Sequence, residues 1–466
     1  MQDMTQGKTS GRIILFALPL LVGNLLQQLY SMVDTIVVGR FVGYQALASV
    51  GATVAVVQLL LGLALGMSSG VSVITAQCFG AKQYDRIRKS VAMGMLLCGV
   101  SAVVIGLAGI LFARPVYGLM QTPDDVIEGA VLYTVIMFAG APATLLYNYV
   151  SSVLRAFGDS KTPLIGLLIA SIVNIALDLA FVIFFGWGVA GVAIATLISQ
   201  LLAGVFCGML ALRKLPILKF QKGDFALDKG MIREQLKVGI PLSFQQSVLA
   251  LGTVFMQSVL NTLGSLTIAA YTVVARIDVF LYGILSAFGT ASTTYAAQNF
   301  GAGRIDRIHQ GVKGACVATV SLCIGFTALV NLLAYPLMHA FVGREETEVI
   351  RMGVQYIRTA TLFYPLLGMI FVMHSTEQGI GKAVVAMTAS FVELAARPTA
   401  AYFLTILFGY TGFCFANPAA WASAFVMVVV SYMIIIRRML RTQDVGAEKD
   451  KPFAGHPAAA GLKAGQ

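Results

Sequence analysis

Twelve long apolar runs, separated by short breaks rich in charge or in Gly, Pro and Asn, constrain this chain more than any other feature. They lie near 13–38, 47–78, 90–113, 127–153, 162–185, 189–213, 234–261, 268–300, 311–337, 350–376, 382–407 and 415–436. A helix crosses the hydrocarbon layer of a membrane in about 20 residues. In lipid, every backbone polar group must find its partner inside the protein, so only helices and closed barrels span. The runs are rich in Leu, Ala and Gly and do not alternate with period two, which excludes lipid-exposed barrel strands. Only 11% of the 466 residues are charged, against about 25% in soluble domains, too few to dress a water-facing surface of this size. The fold class that follows is an all-α polytopic membrane protein. Its first apolar run stays in the mature chain, being too long for a signal-peptide core and lacking a small-residue cleavage site.

Charge placement sets the direction of threading. Of the 32 Lys and Arg, 25 fall on one side, in the N-terminus (Lys8, Arg12), the loop with Lys82, Arg86, Arg88 and Lys89, the pair Arg155 and Lys161, the segment from Arg213 to Lys237, the group Arg304, Arg307 and Lys313, Lys382, and the tail from Arg437. Five (Arg40, Arg114, Arg276, Arg344, Arg351) fall on the other side, beside the acidic clusters Asp124, Asp125, Glu128 and Glu345, Glu346, Glu348. The positive-inside rule then puts both termini in the cytoplasm and makes the span count even. A basic excess of +11 distributed in this way marks membrane sidedness, with no nucleic-acid partner implied. The six Cys are scattered without a metal-binding or redox spacing and read as packing residues.

The chain repeats itself. TAQCFGAKQYDRIRK (75–89) and AAQNFGAGRIDRIHQ (296–310) share Gln77/Gln298, Phe79/Phe300, Gly80/Gly301, Ala81/Ala302, Asp85/Asp306, Arg86/Arg307 and Ile87/Ile308 at an offset of 221. The same offset sets Gly158 on Gly379 and Lys161 on Lys382, and an offset of 222 sets Pro19 on Pro241. The organisation read from this is a cytoplasmic N-terminus (1–12), a six-helix N-lobe (13–213), a cytoplasmic linker (214–233), a six-helix C-lobe (234–436) and a flexible cytoplasmic tail (437–466). An even number of spans per repeat gives both lobes the same topology and leaves a crevice between them. The repeated FGA segment reads first as a basic turn that ends a helix at the membrane edge, and second as a part of the transport machinery. Pro19 and Pro241, recurring at matched positions, are candidate hinges.

Few acids fall within the spans: Asp34, Asp178 and Glu393, with Glu377 and Asp278 nearer an edge. Burying a carboxylate in lipid costs several kcal/mol unless it is neutralised or paired, so each is a functional candidate. Asn174 and Asp178 are four apart on one face of span 5, and Thr196 on span 6 could offer a hydroxyl to the same cavity. Oxygen ligands suit a hard cation such as Na⁺, and two close carboxylates suit a proton, so either ion could be carried. The plainer reading is a set of polar side chains that tie helices together. Glu393 and Arg397, four apart on span 11, read as an internal ion pair or as a substrate contact. Arg358, His374 and Glu377 on span 10 carry the same two readings, and His374 is also a group able to titrate near neutral pH. Aromatic side chains could line a cavity for flat organic cations.

PLLVGNLLQQLYSMVDTIVVGRFVGYQALASVGA, followed by AQCFGAKQYDRIRK, VLRAFGDSKTP and AAQNFGAGR, resembles the prokaryotic multidrug and toxic compound extrusion family from about residue 13 to 437. The resemblance implies a V-shaped, monomeric, multi-pass transporter of the bacterial inner membrane, with no enzymatic activity and no cofactor. It implies export of small organic, often cationic, compounds by alternating access, driven by Na⁺ or H⁺. Family members with an N-lobe cation site place an Asp on helix 1, an Asn and an Asp four apart on helix 5 and a Thr on helix 6. These positions correspond here to Asp34, Asn174, Asp178 and Thr196. The helix-7 acid of other members has no counterpart beyond Glu234. Two alternatives stand beside this reading. A lipid-linked sugar or lipid flippase shares the two-lobed design but calls for a more cationic cavity, whereas Arg358 and Arg397 are the basic residues within spans. A membrane structural or signalling protein would use the tail as an interaction segment.

Overall fold

The computed structural model describes residues 2–342 and 346–449. Arg344 and Glu345, and residues 450–466 of the tail, lie outside this range. The first lobe comprises α1 (Thr9–Val37), α2 (Tyr44–Gly80), α3 (Tyr84–Leu119), α4 (Asp124–Ala139) followed by α5 (Ala141–Ala156), α6 (Lys161–Leu179) and α7 (Gly188–Lys214). The second comprises α8 (Lys229–Thr262), α9 (Ser265–Gly301), α10 (Ile305–Leu332) with the short α11 (Ala334–Phe341), α12 (Thr347–Ala360) with α13 (Tyr364–Gly379), α14 (Ala383–Cys414) and α15 (Ala416–Lys449). Among the described residues, ten continuous helical segments are long and apolar enough to cross a membrane, and α4 with α5 makes an eleventh as one broken span. The remaining rod is α8, 34 residues long.

The break in the α4–α5 span is local in origin. The two pieces meet at 51°, and Pro142 in the first turn of α5 has no N–H to carry the helix through. Pro365 likewise opens α13. Pro19 and Pro241 sit inside α1 and α8, both of which run through them as single helices. In α14 the backbone leaves the helical region at Gly409. Outward-facing apolar side chains such as Val103, Val104, Leu107, Leu111 and Phe112 of α3 are more than half exposed, the pattern of a lipid-facing surface. All six cysteines are buried and unbonded.

The lobes touch through small residues. Gly62, Gly66 and Gly70 recur every fourth position on α2 and face α8. A β-carbon on Gly66 would lie 2.2 Å from the Ser243 backbone nitrogen, and one on Gly70 2.5 Å from Gly239 Cα. Ser243 Oγ donates to Leu63 O at 2.5 Å across this seam. On the other side of the interface, Asn24 Nδ2 of α1 donates to Gly283 O of α9 at 2.8 Å.

At the end of the molecule that gathers the basic loops, the duplicated motif closes the space between the lobes. A β-carbon on Gly80 would sit 1.9 Å from Gln298 O, and one on Gly301 1.9 Å from Gln77 O, so each repeat's glycine is pressed on the other repeat's glutamine. Gln77 Nε2 donates to Gly379 O and Gln298 Nε2 to Ala156 O, both at 2.8 Å. The motif is thus a cross-lobe seal as well as a helix end. The turn geometry corrects one repeat assignment: the left-handed glycines after α5 and α13 are Gly158 (φ 78°) and Gly381 (φ 81°). The pairing is therefore Gly158 with Gly381, an offset of 223, and the second repeat has gained two residues relative to the first by this point.

An N-terminal strap lies across the same seal. Gln2 N donates to Gly158 O at 3.1 Å in the first lobe. In the second lobe, Met4 N donates to Gln298 Oε1 at 3.0 Å, Asn299 Nδ2 to Met4 O at 3.1 Å, Arg304 to Thr5 O at 2.8 Å and Arg307 to Gly7 O at 3.0 Å. Met4 is fully buried in a cluster with Ile13, Phe16 and Tyr295. The interlobe segment is held nearby by the ion pair of Arg88 with Asp224 at 3.2 Å, and Arg86 pairs with Glu234 of α8 at 2.7 Å.

Two predictions follow from these contacts. Gly66→Ala must push α2 from α8 and should cost about 1–3 kcal/mol, whereas Gly99→Ala, with open space around it, should change stability by about 0.5 kcal/mol or less; thermal unfolding in detergent compares them. Deleting residues 2–7 should speed hydrogen exchange of 297–304 relative to the intact chain, because the bonds that cover this segment go with the strap.

Candidate functional site

Two carboxyl groups meet in the first lobe. Asp34 lies near the end of α1 and Asp178 near the end of α6, and each is followed within four residues by a π-helical turn, Val38–Val42 and Ala180–Phe184. Wide turns of this kind break the regular hydrogen-bond ladder and are frequent at functional sites. The two turns pack together, with Val38, Val182 and Val192 in one buried cluster. The Asp34 and Asp178 carboxyls lie within electrostatic reach of each other. Two ionised carboxylates have no proton to share, so they repel; a proton or a cation between them reverses the sign of the interaction.

Among the described residues, the surroundings supply oxygen and no compensating positive charge. Asn174 and Asp178 are buried, and Asp34 Oδ1, both Asp178 oxygens, both Asn174 amide atoms and Gln200 Oε1 accept or donate no hydrogen bond within the protein. Thr196, also buried, donates its hydroxyl to Val192 O at 3.0 Å and keeps oxygen lone pairs for another partner. Tyr30 and Tyr133 lie within electrostatic reach of both acids. Asp34, Asn174, Asp178 and Thr196 thus occupy the lobe that their spacing predicts, on helices α1, α6 and α7. Tyr30, Tyr133 and Gln200 are additions. Tyr30 precedes Asp34 by four, and Gln200 follows Thr196 by four, so the same helical-face rule that links Asn174 to Asp178 also reaches them.

A separate cavity of about 600 Å³ lies between the lobes, lined mainly by α9, α13 and α14, with α2, α5 and α8 completing it. Asp34 and Asp178 are not among its lining residues. Glu393 and Arg397 are, and they form the internal pair expected from their spacing, with Arg397 Nη2 donating to Glu393 Oε1. His374 also lines the cavity, with its Nε2 unpartnered. Asp278, expected near a membrane edge, is buried in the cavity wall and accepts a hydrogen bond from Tyr364 at 2.5 Å. Arg155, grouped with the loop cations by its position in the chain, turns inward and lines the cavity from α5, donating to Ser152 Oγ at 2.7 Å. Glu377 is buried elsewhere, against α15, where Ser431 donates to it. Arg358 is exposed on α12, 5.8 Å over the ring of Tyr335. The geometry therefore brings His374, Glu393 and Arg397 together and leaves Pro19, Arg358 and Glu377 outside.

The profile of the MatE family matches residues 19–180 and again 241–403, one match per lobe. The chain belongs to the MatE family. Its relatives include YoeA of Bacillus subtilis, a probable multidrug resistance protein, 30% identical over 341 residues that cover 72% of this chain and 73% of that one. The multidrug export protein MepA of Staphylococcus aureus is 23% identical over 85% of this chain and 87% of its own length. Among solved structures, a MATE transporter in complex with MaL6 has a TM-score of 0.88 at 22% identity, covering 94% of this chain and 99% of that one. VcmN of Vibrio cholerae in its bent form has a TM-score of 0.87 at 21% identity, covering 95% and 99%. MatE proteins are secondary transporters, so this chain is a transporter and not an enzyme.

In this MatE protein, Asn174 carries two of the unsatisfied buried atoms of the first-lobe site. Asn174→Leu keeps the shape and removes two orphaned buried polar atoms, so it should stabilise the protein in Na⁺-free buffer by about 1–3 kcal/mol while impairing coupled efflux. Thermal unfolding and a transport assay on the same preparation read both effects.

Proposed function

We propose that this chain is a cation-coupled antiporter that exports organic compounds across the inner membrane by alternating access. Its basic end, with the strap and the seal, faces the cytoplasm. The observation that carries the reading is the Asp34–Asp178 pair, Asp178 buried and Asp34 half-buried with its Oδ1 unpartnered, in a lobe wall distinct from the central cavity. Na⁺ or H⁺ entering from outside removes the repulsion between these two acids, with oxygens of Asn174 and Thr196 available to Na⁺. Drawing α1 and α6 together needs compliance close to the acids, and the two π-turns supply it. α1 also touches the second lobe through Asn24 and Gly283, which gives the change a mechanical route to the interlobe surface. Coupling then follows from linkage: if ion and substrate favour opposite-facing states, downhill ion movement drives uphill export. Small organic molecules and membrane lipids are the partners, and the working unit is the monomer.

Reconstituted protein, given an Na⁺ gradient and a pH gradient separately, tests the assignment. Asp34→Asn and Asp178→Asn should each insert and fold normally but lose at least about tenfold in gradient-driven efflux, the consequence of removing about 1.4 kcal/mol or more of coupling. Full gradient-driven transport by both variants would sink the proposal.

A further inference from the structure

The two glutamines of the duplicated motif hold the basic-end seal in unequal ways. Gln77 donates from Nε2 to Gly379 O across the interface. Gln298 is held at both ends of its amide: Nε2 donates to Ala156 O of the first lobe at 2.8 Å, while Oε1 accepts from the Met4 backbone N–H of the strap at 3.0 Å. A side-chain amide is planar, so a donor that fixes its oxygen also fixes the direction of its N–H groups. Met4 therefore aims Gln298 at the opposite lobe. Gln298 and Asn299 are both fully buried, and Asn299 Nδ2 returns a bond to Met4 O.

The inequality comes from the segments that lead into each repeat. Residues 224–228, which lead into α8, make their polar contacts with α3: Asp224 pairs with Arg88, Asp228 pairs with Lys89, and Asp228 N donates to Met93 Sδ at 3.5 Å. Each lead-in thus crosses to the other lobe, but among the described residues the strap alone ends on a seal glutamine. Its two ends are also unlike. Met4 is fully buried in a cluster with Tyr295, Ile305 and Ile308 of the second lobe, where Arg304 and Arg307 hold Thr5 O and Gly7 O. The tip meets the first lobe through Gln2 N on Gly158 O, and a β-carbon on Gly158 would stand 2.1 Å from Gln2 O. One end is anchored and the other is held by a single backbone bond.

We propose that residues 2–7 are a built-in latch of the closed basic end. The strap orients Gln298 and bonds Gly158, and so sets how often the lobes part there. Parting breaks the Gln2–Gly158 and Gln298–Ala156 bonds but leaves Met4 seated, so the latch stays on the second lobe and re-engages without a search. Only its consequence for transport rests on the alternating-access reading: the latch limits how often the cavity opens toward the cytoplasm.

Cys78 reports on this junction. It lines the space between the lobes at the basic end with Arg86, Lys237 and Phe300, and is 4% exposed. Full-length protein in liposomes, treated with N-ethylmaleimide and read by peptide mass spectrometry, gives its alkylation rate. Cys207 and Cys414, fully buried within the lobes, control for general loosening. Removing residues 2–7 should raise the Cys78 rate about tenfold and leave the two controls within about twofold. Met4→Asp, which puts a charge in the apolar seat and expels the strap without shortening the chain, should do the same. A cycle of variants then tests the route through the amide. In the intact chain Gln298→Ala should raise the Cys78 rate about tenfold and Gln77→Ala about threefold; without the strap, Gln298→Ala should add no more than Gln77→Ala. An unchanged Cys78 rate in both strap variants, a rise shared by all three cysteines, or an effect of Gln298→Ala that is the same with and without the strap overturns the latch and leaves export standing. The rate is read without cargo, so a failure of export in the wild-type protein imitates none of these results.

Discussion

Close backbone approach between the lobes is the constraint on which the rest of this structure depends. Lipid is as apolar as the helices, so burial of apolar surface does not drive two helices together inside a membrane. Packing and polar contacts must do it, and both need small residues at the crossing. α2 supplies Gly62, Gly66 and Gly70 against α8, and the duplicated motif supplies Gly80 and Gly301 against Gln298 and Gln77. With these positions filled by glycine, the glutamines can reach backbone carbonyls across the interface. A seal built this way is also reversible. Its bonds are few, local and exchangeable for water once the lobes part, and little apolar surface has to be exposed.

The separation between the acid pair and the central cavity shapes the mechanism. Asp34 and Asp178 lie within the first lobe, while the cavity is bounded mainly by the second. In the proposed mechanism ion and cargo therefore do not compete for the same atoms, and coupling passes through helix position. α1 is suited to this, since it holds Asp34 near one end, Asn24 against the second lobe along its length, and the strap at its start. The proposed ion site, the lobe interface and the basic-end closure thus share one rod. The paired π-turns place the compliance immediately beside the acids, whereas Pro19 and Pro241 lie in helices that run straight through.

Much of this was legible from the chain because membrane solvation imposes strong local rules. Spans are set by length and apolarity, and their edges by charge. The isolated acids stand out because lipid makes them costly, and the faces they share follow from a spacing of four. Asp34, Asn174, Asp178 and Thr196 were reachable in that way. The place of Asp278 and the inward turn of Arg155 in the cavity wall were not, since distance along a helix does not tell which way a side chain turns. Glu377 and Arg358 resemble Glu393 and Arg397 in sequence, yet one packs against Ser431 and the other faces out over Tyr335. The duplication was legible as well, but a two-residue shift that pairs Gly158 with Gly381 was hidden, because identity of residues and identity of turn geometry are separate properties.

The sequence by itself determined that the chain is a membrane bundle of two like halves with a few buried acids, because hydropathy, charge asymmetry and internal repetition act over short stretches or compare a stretch with its copy. Tertiary structure alone decided that Gly80 and Gly301 press on the opposite repeat, that residues 2–7 bridge the lobes, and that Arg155, Asp278 and Arg397 share the wall of one interlobe cavity. Each of these joins residues that are distant in the chain or depends on side-chain direction. They arise when the lobes close on one another, and no local pattern in either partner encodes that contact.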